Sequence, residues 1–257
     1  MSFINSLLLG ALQGATEFLP VSSSAHLVLF GNLLNADLPG IVFEIVVHLG
    51  TLISILVMFR QDIAEMLSRI VEDRDFYELI TIAVATIPIA IIGPIFKSNI
   101  ETAFSTVFLV GVCLIITGII LSSTRWTPLS NLTKISLMTA FLIGVAQAFA
   151  LLPGISRSGI TISVALWLGI SAFEAGRFSF LIAIPALIGS MLLNLPDIIL
   201  VGSNKGHLLI LLIGFSSAFV VGLVALKMLI SLVESGKLYF FSGYCFFLGI
   251  IVLMVIA

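Results

Sequence analysis

The chain is predicted to be an all-α polytopic membrane protein with about six transmembrane helices and two re-entrant helix hairpins, and three observations carry that prediction. Its 257 residues are 60% hydrophobic and 9% charged, with a mean hydropathy of +1.28, outside the range of a soluble domain. Ile41 to Phe59, Phe76 to Phe96, Thr102 to Leu121, Phe173 to Leu195, Leu208 to Leu232 and Leu238 to Ala257 are each apolar over a length that crosses ~30 Å of hydrocarbon. Four shorter apolar pieces come in two pairs, each broken by proline. Irregular backbone at membrane depth survives only where it is buried in protein or lines a wet cavity, because lipid cannot satisfy its N–H and C=O groups. Short, broken and paired pieces therefore read as hairpins whose tips face one interior cavity.

Taken in order, Phe3 to Phe18 and Ala25 to Leu34 form the first hairpin, broken at Pro20. Met1 to Leu12 has no basic flank or evident cleavage site, so it reads as mature structure rather than a secretory signal. The Ile41 span follows, and then the most hydrophilic stretch, Arg60 to Glu78, which reads as a solvated connector. Two spans later comes a connector carrying Arg125 and Lys134. Two intervening spans return the chain to the same side, so the positive-inside bias places both connectors in the cytoplasm and the start of the Ile41 span outside. The first hairpin then opens to the extracytoplasmic side. A cysteine at Asp37 that reacted with an impermeant thiol reagent only after exposure of the inner leaflet would reverse this orientation. Ile135 to Leu152 and Ile160 to Ile170 form the second hairpin, broken at Pro153-Gly154, and the last three spans complete one membrane domain over residues 1–257.

The formal net charge of −2 and the absence of a basic stripe exclude a nucleic-acid partner. Cys113 and Cys245 lie in apolar runs and read as small buried hydrophobes. The small-residue patch Gly111 to Gly118 has two uses open to it, packing within the protomer or a homodimer contact.

The two hairpins are also an internal repeat. Gly10 and Gly144, Gln13 and Gln147, Ser22 and Ser156, and Ser24 and Ser158 share a separation of 134 positions. Phe43-Glu44 and Phe173-Glu174 add a weaker match at a spacing of 130, giving halves of about 1–125 and 134–257. Paired broken helices in corresponding places of two halves point to a site between inverted-topology repeats. The copies diverge where the chemistry would lie: Glu17 faces Leu151 in the alignment and Arg157 faces Ser23. One half brings the acid and the other the base.

An ionisable group at the bilayer centre costs roughly 3 kcal/mol or more, so Glu17, His26 and Arg157 need a partner or a purpose. In the second block, Gly154, Ser156, Arg157, Ser158 and Thr161 supply glycine turns, hydroxyls and a guanidinium at a helix start, which is an anion cradle. In the first, Gln13 and Glu17 stand on one helix face, Ser22, Ser23 and Ser24 offer hydroxyls, and His26 is spaced to share the proton of Ser23. Three attacks stay open on the residues alone: Ser23 with His26 or Glu17 as proton acceptor, His26 itself, or water activated by Glu17.

Glu17 through His26, Phe43 through Ile63, Pro153 through Thr161 and Glu174 through Pro185 together resemble the undecaprenyl-diphosphatase family, UppP or BacA. The resemblance implies hydrolysis of a polyprenyl diphosphate to the monophosphate carrier and inorganic phosphate, recycling the carrier for cell-envelope glycan synthesis. It further implies interdigitated inverted repeats, a site on the outer face of the plasma membrane, and a divalent cation, Mg2+ or Ca2+. Glu17 matches the second acid of the family's (E/Q)xxxE motif and Gln13 its first position, so a cation there would meet one carboxylate and one neutral carbonyl. Ser23 and His26 match the residues opposite the phosphate, and Ser156, Arg157, Ser158 and Thr161 the phosphate-binding block. His48 matches a family position, with packing as its default role. Glu44, Glu174 and Arg177 read as intramembrane charges that pair among themselves. An inverted-repeat transporter or flippase of an anionic lipid is the alternative; Glu17 beside Ser23 and His26 favours hydrolysis, which needs them where transport does not.

Overall fold

The structure is a computed structural model that describes residues 2–33, 40–128, 130–193 and 205–256. Among these residues every regular element is a helix, and strand-like pairing is limited to an isolated bridge from Leu132 to Ile170. The ends expected at Leu34, Leu195 and Ala257, and the reporter position Asp37, lie outside the described residues.

The first hairpin is α1 (Phe3–Phe18) and α2 (Ser23–Leu33). Pro20 lacks an N–H and drives Leu19 out of helical backbone, to φ −59°, ψ 137°, so α1 stops there. Then come α3 (Gly40–Met58), α4 (Arg60–Ser68), α5 (Tyr77–Ile95), α6 (Lys97–Ser105) and α7 (Val107–Ser123). The second hairpin is α8 (Leu137–Phe149) and α9 (Arg157–Trp167), followed by α10 (Ala172–Leu193), α11 (Lys205–Glu234) and α12 (Phe240–Ile256).

Each expected span coincides with a helix. By length and composition α5, α7, α10 and α11 qualify outright, and α3 qualifies as part of a pair bent by 63° against α4. The sixth, α12, has 17 residues, at the short limit for a spanning helix. The Arg60–Glu78 connector is solvated as expected and largely helical: it folds into α4 and a wide turn over Arg69–Asp73 that ends on left-handed Arg74.

The packing of these helices is reciprocal. The hairpin helix α1 packs on α11 and the hairpin helix α8 on α5; α3 also packs on α11 and α10 on α5; α7 and α12 pack on each other. The repeated glycines lie at the same kind of crossing. A Cβ on Gly10 would collide with the carbonyl of Gly214 in α11, and one on Gly144 with the carbonyl of Ala85 in α5. Backbones touch at both places, so only glycine fits. The Gly111 to Gly118 stripe is used inside the protomer: Cβ atoms there would meet Leu253 and Phe246 of α12 at 2.9 and 2.8 Å.

The two hairpins enter from opposite faces. Both outer ends of the α8–α9 hairpin meet at one face, where Ser171 N–H donates to the Leu132 carbonyl at 2.9 Å. The same face holds Lys134 over the Tyr77 ring at 5.1 Å, Tyr77 donating to the Ile135 carbonyl, and Arg125 over Tyr239 at 5.6 Å. The connectors carrying basic residues thus lie together, as the chain order required. At the other end of α11, Ser6 in the first turn of α1 donates to the Ile210 carbonyl at 2.5 Å.

Candidate active site

The hairpin tips meet in the interior. The Gly154 N–H donates to Ser22 Oγ at 3.1 Å, and a Cβ on Gly159 would touch Pro20 at 3.2 Å. Both tips bend through left-handed backbone, φ 67° at Ser22 and φ 102° at Gly154. Serine rarely adopts that conformation, so the Ser22 turn must be held by its surroundings.

Glu17 is the hub. Arg157 Nη2 donates to its Oε1 at 2.6 Å, while Ser23 Oγ and Gln13 Nε2 donate to its Oε2 at 2.7 and 3.1 Å. His48 Nε2 stands 3.7 Å from the same oxygen. Local sequence places each group: Gln13 lies one turn before Glu17 on α1, Ser23 opens α2 just past the Pro20 turn, and Arg157 is the first residue of α9. Ser156 caps that helix by accepting from the Gly159 N–H at 3.1 Å. Acid and base, 140 positions apart in sequence, form one ion pair whose side chains are 6% and 14% exposed.

Several expected ligands are committed elsewhere. His26 is not aimed at Ser23: its Nδ1 meets the Ser22 carbonyl at 2.8 Å and its Nε2 meets the Tyr244 hydroxyl at 2.6 Å. The three-residue spacing brought the residues near, but the helix turn carries the ring toward α12. The N–H of Gly154 is taken by Ser22, that of Ser156 by Thr117 Oγ1 at 3.1 Å, and that of Ile155 by the Leu152 carbonyl, so the turn after Pro153 offers less backbone to an anion than its composition suggested. Ser22 and Ser24 share a 3.1 Å contact, as Ser156 and Ser158 do at 3.3 Å. Thr161 faces α10, with its Oγ1 2.6 Å from Ser179 Oγ, and serves as a strut.

Two buried atoms at the site have no hydrogen-bond partner among the described residues: Arg157 Nη1 and Gln13 Oε1. A buried unpaired donor on a cation costs free energy unless an anion meets it. For a divalent cation, no group of three or more His, Cys, Asp or Glu forms among the described residues. Glu17 and Gln13, one turn apart on α1, nevertheless offer a carboxylate and an otherwise unpaired amide oxygen, the donor chemistry that a hard ion completed by phosphate oxygens and water takes.

Sequence reasoning missed Tyr244, Thr117 and Ser179, and it underrated His48. The signal for Tyr244 and His48 was their position inside apolar spans, where a polar tip needs a partner. Thr117 and Ser179 gave none. The Arg177 group was half found. Arg177 pairs with Glu174 at 3.2 Å as expected, but also with Asp62 and Glu78 at 2.5 Å each, and Glu78 in turn meets Arg69. Glu44 stays apart, one turn from His48, whose Nδ1 reaches the Glu44 carbonyl at 2.7 Å.

Two opposed hairpins that close an acid, a hydroxyl and a guanidinium inside an apolar helical body define a polytopic membrane protein with an internal polar cluster. The chain belongs to the family described as bacitracin resistance protein BacA, whose profile matches residues 6–251. It is similar to the undecaprenyl-diphosphatase of Desulfosudis oleivorans, 40% identical over 97% of each chain. The proteins of that name from Carboxydothermus hydrogenoformans and Methanococcus vannielii are 39% and 37% identical, over 99% and 98% of this chain and 97% and 100% of theirs.

Proposed function

We propose that this chain is an integral membrane phosphatase that hydrolyses undecaprenyl diphosphate to the monophosphate lipid and inorganic phosphate. Family membership and the names of its relatives support the activity. The observation that carries the chemistry is the Ser23 hydroxyl donating at 2.7 Å to a carboxylate whose other oxygen is held by Arg157 from the opposite hairpin.

Ser23 Oγ attacks the terminal phosphorus and gives its proton to Glu17 Oε2. A serine–phosphorus bond forms, the anhydride P–O bond breaks, and the lipid monophosphate leaves with the electron pair. Water then cleaves the phosphoserine and releases phosphate. Arg157 uses its free Nη1 to grip the diphosphate and stabilise the equatorial oxygens. While it holds Glu17 it also neutralises it. A diphosphate competes for the guanidinium and so returns negative charge to the carboxylate when Ser23 must lose its proton. A divalent cation, Mg2+ or Ca2+, belongs to this reading too: Glu17 and Gln13 would hold it, and it would neutralise phosphate charge.

The halves about 1–125 and 134–257 act as interdigitated inverted repeats in this reading, supported by the reciprocal packing and the paired crossings of Gly10 and Gly144. The clustering of the basic connectors on one face supports a plasma-membrane orientation in which the first hairpin, and with it the site, opens outside. The transporter reading is less favoured, since it assigns no work to the Ser23–Glu17 pair.

Phosphate release from undecaprenyl diphosphate in detergent, followed by mapping of phosphate label after rapid quenching, tests this. Label on a peptide containing Ser23, lost in Ser23→Ala, is expected; label on His26 overturns the assignment of the nucleophile, and no release by the wild-type chain overturns the activity.

A further inference from the structure

We propose that Tyr244 is a positioning residue for this reaction, acting through His26 to hold the left-handed Ser22 turn that sets Ser23 against Glu17. The inference rests on Ser23 as nucleophile, and the chemistry of the contacts drives it. A carbonyl oxygen can only accept, so His26 Nδ1, 2.8 Å from the Ser22 carbonyl, must carry the ring proton. In the neutral ring its Nε2, 2.6 Å from the Tyr244 hydroxyl, is then the acceptor and Tyr244 the donor. The two rings are nearly parallel, with an interplanar angle of 9° and centroids 5.7 Å apart, and the hydrogen bond joins them edge to edge, which fixes the imidazole plane as well as its tautomer. Both ring nitrogens are thereby occupied, and His26 is 1% exposed. In this arrangement it works as a strut rather than as a proton carrier for Ser23.

The strut is needed where it acts. Ser22 is at φ 67°, an unfavourable conformation for serine, and its hydroxyl receives the Gly154 N–H from the other hairpin. If Ser22 relaxed, the next residue, Ser23, would swing off Glu17 and the two tips would lose a shared bond. The neighbour of Tyr244 on α12 secures the same turn, Cys245 Sγ donating to the Pro20 carbonyl at 3.5 Å. Thr117 of α7 performs the matching task on the second tip, donating to the Gly154 carbonyl at 2.8 Å and accepting from the Ser156 N–H. The α7–α12 pair thus cradles both tips, one helix each.

The test is kinetic and uses substitutions that imitate one ring nitrogen at a time. Tyr244→Phe deletes only the hydroxyl and is expected to lower kcat about tenfold with KM within about twofold, because the reacting oxygen is misplaced while the phosphate grip is untouched. His26→Asn keeps a donor where Nδ1 stood and should retain activity within about tenfold of wild type; His26→Gln, which imitates Nε2, should fall at least about tenfold further. Adding Tyr244→Phe to His26→Asn should cost nothing more, since the contact it removes is already gone. Each variant is checked for an unchanged gel-filtration profile and unfolding midpoint in detergent. Unaltered kcat in Tyr244→Phe, or Asn as inactive as Gln at position 26, overturns the inference. Full activity in Ser23→Ala would instead overturn the nucleophile assignment beneath it.

Discussion

Arg157 and Arg177 are both largely buried arginines in the first turns of apolar helices, each side chain 14% exposed, and they are treated in opposite ways. Arg177 meets three carboxylates, Asp62, Glu78 and Glu174, drawn from α4, α5 and α10. Arg157 meets one, and keeps a buried Nη1 with no partner among the described residues. The first arrangement is saturated: it ties three helices together near the basic connectors and has nothing left to offer a ligand. The second is short of negative charge, at the point where two irregular tips and a hydroxyl converge. Incomplete pairing, rather than burial or charge alone, is what distinguishes a site from a clamp in this molecule.

Four tests break or sharpen that contrast. Removing the under-paired guanidinium with Arg157→Ala should cost on the order of 1000-fold in kcat/KM for diphosphate hydrolysis, measured as phosphate release. An activity within tenfold of wild type would dissolve the distinction. The acceptor side comes next. Glu17→Gln and Ser23→Ala should each lower kcat by roughly 100-fold or more, and the double variant should be no worse than the poorer single one, because the pair acts as one unit. Additive losses would separate the two residues.

The saturated arginine should answer in stability instead. Arg177→Met leaves three carboxylates facing one another and should lose about 3 kcal/mol in detergent unfolding, with kcat of the folded fraction within about twofold. A large loss of kcat without loss of stability would make it part of the site. The smallest effect tests the frame that both arginines depend on. Gly10→Ala and Gly144→Ala force a methyl against the backbone of Gly214 and Ala85, and each should destabilise by about 1–3 kcal/mol, by similar amounts if the two crossings are equivalent. Strong asymmetry would count against paired halves.

Much of this was legible in the linear order. Apolar length alone placed the expected spans onto α3, α5, α7, α10, α11 and α12, because the thickness of hydrocarbon sets a minimum that few other segments meet. Pro20 and Pro153 marked the tips because each interrupts a pair of short apolar pieces; proline alone does not end a helix here, since α5 runs through Pro88 and Pro94 and α10 through Pro185. Glu17 and Arg157 were legible as anomalies, for an uncompensated charge is too costly to be incidental in such a chain. The partition of acid and base between the hairpins was legible as well, from Glu17 standing before Pro20 and Arg157 after Pro153.

What the sequence could not settle was direction. Whether His26 turns toward Ser23 or toward α12, and whether Thr161 faces an anion or Ser179, depends on the rotation of a helix within its packing, and a few tens of degrees separate the answers. Asp62 and Glu78 looked solvated because their neighbours in the chain are polar, yet Arg177 reaches them from α10 across 115 and 99 positions. Composition, periodicity and proline chemistry act locally, so the chain alone determined its spans, its breaks and its costly charges. Which charge is satisfied and which is left waiting is a property of contacts between distant segments, and only the assembled helices decided it.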